Sequence, residues 1–339
     1  MKALRVSALS ADLSGVTLDN VPPPTPRDGE VLIRVRAAAL NYPDVLMTRG
    51  AYQLKPPLPF VPGMEVAGEI VSGDGFVPGM EVAGEIVSGD GFVPGEAVVA
   101  GTRLGGFAEF VAVDAATVRR KPAQLSFAQA ASVGATYLTA YVALVRLARV
   151  EPGEWVMVHG ATGGVGWATV DLARALGARV IATGRDAAKL DILGREQPGT
   201  VTVTLLPTAP GFREQVKEIT GGGADVIVDS VGGDVFDEST RCIAFGGRLL
   251  VVGFTSGRIA EVPTNIPLIK GFSVIGVRAG EYGRRFPTRG RENVDAIWRM
   301  ADEGRITPRI DREYALSDWR EAFAAMSESR MVGKLVLIP

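Results

Sequence analysis

The chain has 339 residues, of which 47% are hydrophobic and 22% charged, with a net charge of −2. The length suggests two domains or one large one and the balance supports a sizeable core, while the charge argues against a general electrostatic grip on nucleic acid or anionic membrane, leaving room only for local basic patches. A single histidine, His159, and a single cysteine, Cys242, exclude an intrachain disulfide and leave too few ligands for a Cys/His zinc site. A Ser-His-Asp triad would have to use His159, at the end of a predicted strand. The first residues show no apolar leader, and no apolar run reaches the ~18 residues of a membrane span, so a cytoplasmic protein without membrane attachment is expected.

Residues 1 to about 125 read as mainly β. Val31 to Ala39 and Phe107 to Val113 are predicted strands, the second after the Gly105-Gly106 turn signal. Tyr42 to Thr48 reads as a short helix ended by Gly50. Residues 60–75 recur unchanged as 76–91, and a third Phe-Val-Pro-Gly begins at Phe92. Two copies are too few for a solenoid. The segment reads as a tandem duplication, with Ser72-Gly73-Asp74-Gly75 as a turn signal for an extra hairpin; the alternative is that it remodels a cleft or a subunit contact.

From 126 to 275 strands and helices alternate. The predicted strands are Val156–His159, Arg179–Thr183, Thr200–Leu205, Asp225–Asp229, Arg248–Val252 and Ser273–Val277. The predicted helices are Gly164–Leu176, Ala187–Leu193, Gly211–Thr220 and Val235–Ala244. Apolar strands separated by helices imply a parallel sheet covered on both faces. The remainder holds predicted helices at Asn293–Glu303 and Asp318–Met326, and a closing strand at Lys334–Ile338.

The strongest local signal follows Trp155-Val-Met-Val-His159. It runs Gly160, Ala161, Thr162, Gly163, Gly164, Val165, Gly166 and then opens a helix. A tight turn of this kind lets backbone approach a pyrophosphate at the positive end of a helix. Ala161 stands where the first glycine of the usual pattern falls. At the end of the next strand, where an acid usually binds the ribose hydroxyls, stand Arg185 and then Lys189. Cations there suit the 2′-phosphate of NADPH, although Asp186 lies between them and a solvated helix start is the alternative. Two later turns are expected to face the same crevice: Ser230 and Val231, and Gly253, Phe254 and Thr255. Ordinary turn chemistry is the alternative for each.

Several segments then carry a resemblance: Asn41-Tyr-Pro-Asp44, Gly50-Ala-Tyr52, Pro62-Gly-Met-Glu-Val-Ala-Gly68, Thr139-Ala-Tyr-Val-Ala-Leu144, His159 to Gly166, Asp229-Ser-Val-Gly-Gly233 and Gly333-Lys-Leu-Val-Leu337. With the order of parts, they resemble the medium-chain dehydrogenase/reductase superfamily, in its zinc-free quinone oxidoreductase branch of zeta-crystallin-like enzymes. The resemblance implies an α/β protein. A Rossmann domain with a doubly wound parallel sheet would span 126–275, and a GroES-like β-rich catalytic domain would be built from 1–125 and 276–339. Zinc-binding relatives carry histidine where Met64 stands, so no metal is expected.

The resemblance also implies a homodimer, with a small electrophilic molecule as substrate. It implies Thr139 as a nicotinamide contact and Lys334 as a cofactor contact. Tyr52 matches the tyrosine assigned as proton donor in the enoyl-thioester reductases of the superfamily, and Asn41 would orient substrate or nicotinamide. A tyrosine hydroxyl is protonated at neutral pH and can donate to developing negative charge. The alternatives are a packed aromatic for Tyr52, a turn residue for Asn41 and a hydroxyl facing its own helix for Thr139. The expected activity is NADPH-dependent hydride transfer to a quinone or an α,β-unsaturated carbonyl or thioester. The rival is an NADPH-binding sensor or crystallin-like protein without turnover.

Overall fold

The structure is a computed structural model that describes residues 1–72, 91–204 and 211–339. It divides into two compact units, Met1–Gly134 with Ile310–Pro339, and Ala135–Arg309. The first unit begins with a hairpin, β1 (Lys2–Val6) and β2 (Val16–Asn20), then β3 (Glu30–Ala39) and helix α1 (Tyr42–Thr48). It continues with β4 (Glu65–Ser72), β5 (Ala97–Gly101), β6 (Phe110–Asp114), β7 (Val118–Arg120) and α2 (Phe127–Ala131). β4 comes from the first copy of the duplicated segment and pairs antiparallel with both β3 and β5. Residues 73–90, including the expected extra hairpin, lie outside the described residues.

The second unit starts with α3 (Gly134–Tyr141) and a π-helical turn over Val142–Ala148. Next come β8 (Trp155–His159), α4 (Gly164–Ala175), β9 (Arg179–Gly184), α5 (Ala187–Glu196), β10 (Val201–Thr204), α6 (Arg213–Thr220), β11 (Ala224–Asp229) and α7 (Gly233–Cys242). It closes with β12 (Ile243–Val251), α8 (Asn265–Lys270), β13 (Ser273–Gly276), α9 (Ala279–Arg285) and α10 (Pro287–Asp302). The chain then returns to the first unit as β14 (Ile310–Ala315), α11 (Trp319–Ser327) and β15 (Lys334–Ile338).

In the second unit six parallel strands lie in the order β10-β9-β8-β11-β12-β13. Numbered within the unit this is 3-2-1-4-5-6, the order of the doubly wound dinucleotide fold. The middles of the central strands are apolar: Val156, Met157, Val158, Ile181, Ala182, Ile227 and Leu249 are all fully buried. That is the composition a parallel sheet needs when helices cover both faces. In the first unit β3 is the central strand, flanked by β15 and β4 and also pairing with β6. Phe107 and Phe323 meet edge to face in its core, with centroids 6.1 Å apart.

The structure corrects several boundaries. Residues 126–134, which include α2, belong to the first unit rather than the second, and α10 begins at Pro287 rather than Asn293. Residues 276–309 belong to the second unit rather than the first, because α10 buries Ile297 and Met300 and Arg146 bonds to Glu292 and Asn293. The strand expected from Phe107 starts at Phe110, since the Phe107 amide donates to Pro62 O and its carbonyl accepts from Leu4 N. The helix expected to run to Ala244 stops at Cys242, where Ile243 pairs with Ala224 and begins β12. The third strand of the Rossmann unit is described as Val201–Thr204, and Leu205 lies outside the described residues.

Candidate cofactor and active site

The strand order reverses between β8 and β11, so the crevice at their carboxyl ends is where an open α/β sheet takes a ligand. The glycine turn leaves β8 at this point. Gly160 adopts φ +63, which a side chain disfavours, and its carbonyl accepts from Gly163 N at 3.0 Å. Ala161 donates its amide to Thr183 O at 3.0 Å and is fully buried; its φ is not positive, which is why alanine is accepted in the first glycine's place. A Cβ on Gly166 would lie 2.1 Å from Gly160 O and 2.7 Å from Ala161 Cα, so the helix can approach the turn only through glycine. Gly163 is the N-cap and offers no side chain to cap α4. The first-turn amides of Gly164, Val165 and Gly166 therefore have no side-chain cap at the positive end of the helix.

The loops after β11 and β12 are tied to this turn. Ser230 Oγ donates to His159 O at 3.0 Å, and a Cβ on Gly160 would stand 2.9 Å from that Oγ. Thr255 donates both its amide (3.1 Å) and its hydroxyl (3.0 Å) to Ser230 O, and Ser256 N donates to Val231 O at 2.9 Å. Gly253 lies against Ser230, and Phe254 is left half exposed. Asp229 Oδ1 accepts from Val231 N and Gly232 N, while its buried Oδ2 has no partner among the described residues. An orphaned buried oxygen beside a glycine cradle is a feature that a bound ligand or an ordered water satisfies.

At the end of β9, Arg185 is exposed and Lys189 half buried. Asp186 Oδ1 accepts from Lys189 N at 3.2 Å as the N-cap of α5. The acid that sits between the two cations thus has a structural task. Thr139 lies on α3, and its hydroxyl donates to Ala135 O at 2.8 Å along its own helix.

His159 is fully buried, with Nδ1 at 2.7 Å from Thr183 Oγ1 and Nε2 at 2.8 Å from Ser239 Oγ. Each hydroxyl also has a carbonyl acceptor, Ser239 Oγ donating to Val235 O at 2.7 Å and Thr183 Oγ1 to Val158 O at 3.2 Å. Burial drives the imidazole pKa down to about 4, against a smaller upward pull from Asp229. Ser239 is itself fully buried, so this pair cannot serve as a nucleophile and base. The neutral folded form makes the histidine stabilising above its unfolded value near 6.5, a contribution lost as pH falls towards 4. Because it is the only histidine, its ring-proton NMR signals are expected to hold their positions from pH 8 to 5; a midpoint near 6.5 would refute the burial argument.

In the first unit Asn41, Asp44, Glu65 and Lys334 form a buried polar cluster. Lys334 Nζ donates to Asn41 Oδ1 at 2.7 Å and to Leu40 O at 2.9 Å. Asn41 Nδ2 donates to Glu65 Oε1 at 2.7 Å, so the amide bridges an ammonium and a carboxylate. Asp44 accepts from Asn41 N at 2.9 Å and from Gly63 N at 3.1 Å. Burial pushes its carboxyl up to about 7 despite those bonds and the charge of Lys334. Burial also lowers the Lys334 ammonium, with Glu65 and Asp44 pulling the other way. Glu65 stands in the quoted Pro62–Gly68 segment, but sequence reasoning gave it no role. Tyr52 is half buried and packs on the core of this unit, with Leu54 and Met64 also at that margin.

Two family models match the chain: an alcohol dehydrogenase GroES-like domain over residues 27–123 and a zinc-binding dehydrogenase domain over 164–296. The quinone oxidoreductase-like protein 2 homolog of Nematostella vectensis is 36% identical over 318 residues, spanning 91% of this chain and 81% of the relative. A probable oxidoreductase from Mycobacterium abscessus superposes with a TM-score of 0.85 at 32% identity, covering 100% of this chain and 99% of the other. The mycobacterial protein Rv1454c, solved with NADPH, superposes with a TM-score of 0.86 at 27% identity over 100% of both chains. No helix among the described residues is long and apolar enough to cross a membrane. Among those residues no group of three His, Cys, Asp or Glu is placed to hold a metal ion.

Proposed function

The chain belongs to the quinone oxidoreductase branch of the medium-chain dehydrogenase/reductase superfamily, and from that premise we propose that it is an NADPH-dependent, zinc-independent reductase of quinones or α,β-unsaturated carbonyls and thioesters. The observation that carries the reading is the glycine turn at the switch point of the 3-2-1-4-5-6 sheet. The residues present fit the cofactor: a cradle that a Cβ would fill, first-turn amides without a side-chain cap and an unpartnered Asp229 oxygen. Residues 160–166 would hold the pyrophosphate, Arg185 and Lys189 the 2′-phosphate, and the loops of Ser230–Val231 and Gly253–Thr255 the nicotinamide end, with Thr139 as a further contact. NADPH supplies a hydride when bound.

The chain's own work is to orient the acceptor and complete the reduction with a proton, which Tyr52 delivers. Asn41 acts from inside the first unit as a positioning residue, since its amide is engaged by Lys334 and Glu65. Stopped-flow oxidation of NADPH and NADH with a panel of quinones, enones and an enoyl thioester tests the proposal. Turnover is expected with NADPH, with a preference over NADH that falls at least tenfold in Arg185→Ala. Tyr52→Phe is expected to lower kcat on protonated products by roughly 10²-fold, the scale of general acid catalysis. Tight NADPH binding without turnover of any acceptor would favour the sensor instead.

We also propose a cytoplasmic homodimer formed through the open edge of the Rossmann sheet. Phe245, which packs over Gly271, joins Leu268, Ile269 and Val274 in an apolar surface on and beside β13. An edge strand with such a surface needs covering. Light scattering should show a dimer that becomes a monomer in the Leu268→Asp/Ile269→Asp double variant. A monomeric unsubstituted protein would overturn this arrangement.

A further inference from the structure

The chain carries a net charge of −2, yet residues 278–291 contain Arg278, Arg284, Arg285, Arg289 and Arg291 against Glu281 alone. These residues form α9 and the start of α10, joined at Phe286. The Arg284 and Arg285 side chains are 67% and 74% exposed and share the Glu281 carboxylate. Two cations at the end of α9 favour that helix, but the first turns of α10 hold Arg289 and Arg291 with no acid in the first turn. Positive charge there opposes the helix dipole, so helix stability does not account for it. Farther along, α10 is neutralised in the ordinary way, with Glu292 2.8 Å from Arg146.

Between the arginines stands an exposed aromatic. Phe286 is 47% exposed, its ring lies 5.1 Å from that of Tyr282, and the Arg289 guanidinium sits 5.5 Å from its centroid. The position in the fold is informative. Gly276 pairs with Val251, and Val277 N donates to Val251 O at 2.9 Å, so α9 departs from the carboxyl edge of the sheet. The candidate cofactor loops leave the same edge.

We propose that Arg284, Arg285, Phe286 and Arg289 bind the phosphorylated adenosine of a coenzyme A thioester. A planar ring gives a base a stacking surface, and guanidinium forks match phosphate oxygens in pairs. A quinone has no anionic handle and no use for this surface. A carrier protein's phosphopantetheine has a phosphate but no purine, so the exposed ring selects the nucleotide. The long pantetheine arm lets the handle rest on a helix pair while the thioester reaches elsewhere. The inference rests on the reductase reading for its acceptor, but the binding site can be tested without turnover.

Coenzyme A is titrated calorimetrically into protein saturated with NADPH, so that the dinucleotide site is filled. Saturable binding is expected, at least tenfold weaker for 3′-dephospho-coenzyme A. It should also be at least tenfold weaker in Arg289→Gln and in Phe286→Ala, with NADPH affinity and melting temperature unchanged. In turnover, Arg289→Gln should raise KM for crotonyl-coenzyme A at least tenfold at constant kcat and leave crotonyl-pantetheine unaffected. Absent coenzyme A binding, or equal binding by the variants, overturns the site even if every acceptor is reduced. Equal KM values for the coenzyme A and pantetheine esters overturn it as well. Variant-sensitive coenzyme A binding with no reduction of any acceptor sustains the site and defeats the reductase reading.

Discussion

Gly166→Ala is expected to lose both cofactor affinity and stability, whereas Gly163→Ala loses affinity alone. A methyl at 166 would stand 2.1 Å from Gly160 O and 2.8 Å from Gly160 C, which are backbone atoms and cannot rotate away. The helix must move off the turn, and overpacking of this kind costs about 1–3 kcal/mol. The displaced turn would also misdirect the first-turn amides, so NADPH affinity should fall by roughly a hundredfold, equivalent to about 2.7 kcal/mol. At Gly163 the fold itself leaves space: the nearest atom to an added Cβ is Gly160 O at 3.4 Å, and the residue has extended dihedrals that alanine adopts. Its methyl would obstruct only a phosphate. Denaturation midpoints and NADPH titrations of the two variants separate the effects. Equal stability of the two, or unchanged affinity at Gly166→Ala, would remove the turn from the site.

The glycine turn was legible because its physics is local: strand, reversal and helix occupy consecutive residues from Trp155 to Ala175. Tyr42–Thr48 and Lys334–Ile338 were legible for the same reason, and the structure returns both spans unchanged. What escaped the sequence depends on distant partners. Nothing local ties Lys334 to Asn41, which it meets across 293 positions. Asp186 looked like an acid competing with Arg185 and Lys189, and only the cap of α5 explains it. Residues 276–309 looked like the start of a returning segment. Their membership of the second unit comes from contacts such as Thr307 N to Asp171 Oδ2, at 2.8 Å, which no periodicity encodes.

Lys334→Met is expected to destabilise the first unit by about 3–5 kcal/mol, the usual cost of stripping one partner from a buried charged group. Methionine fills much of the stem's volume but gives no donor to Leu40 O or Asn41 Oδ1, and it leaves Glu65 and Asp44 without their nearby cation. The sign of the pH dependence follows from Asp44. Its folded value, about 7, lies above the ordinary 3.8, so the folded state holds the proton more tightly and stability falls as pH rises from 4 to 7. Removing Lys334 takes away a charge that lowers this value, so the window extends upward and the deficit of the variant should be larger at pH 8 than at pH 5.5. Adding Glu65→Gln removes the opposing charge and should recover part of the loss, as coupling between neighbours requires. A lysine whose task is the cofactor behaves differently: its loss would weaken NADPH binding, leave the denaturation midpoint unchanged at both pH values and gain nothing from Glu65→Gln. The two outcomes decide whether Lys334 serves the fold around Asn41 or touches the dinucleotide directly.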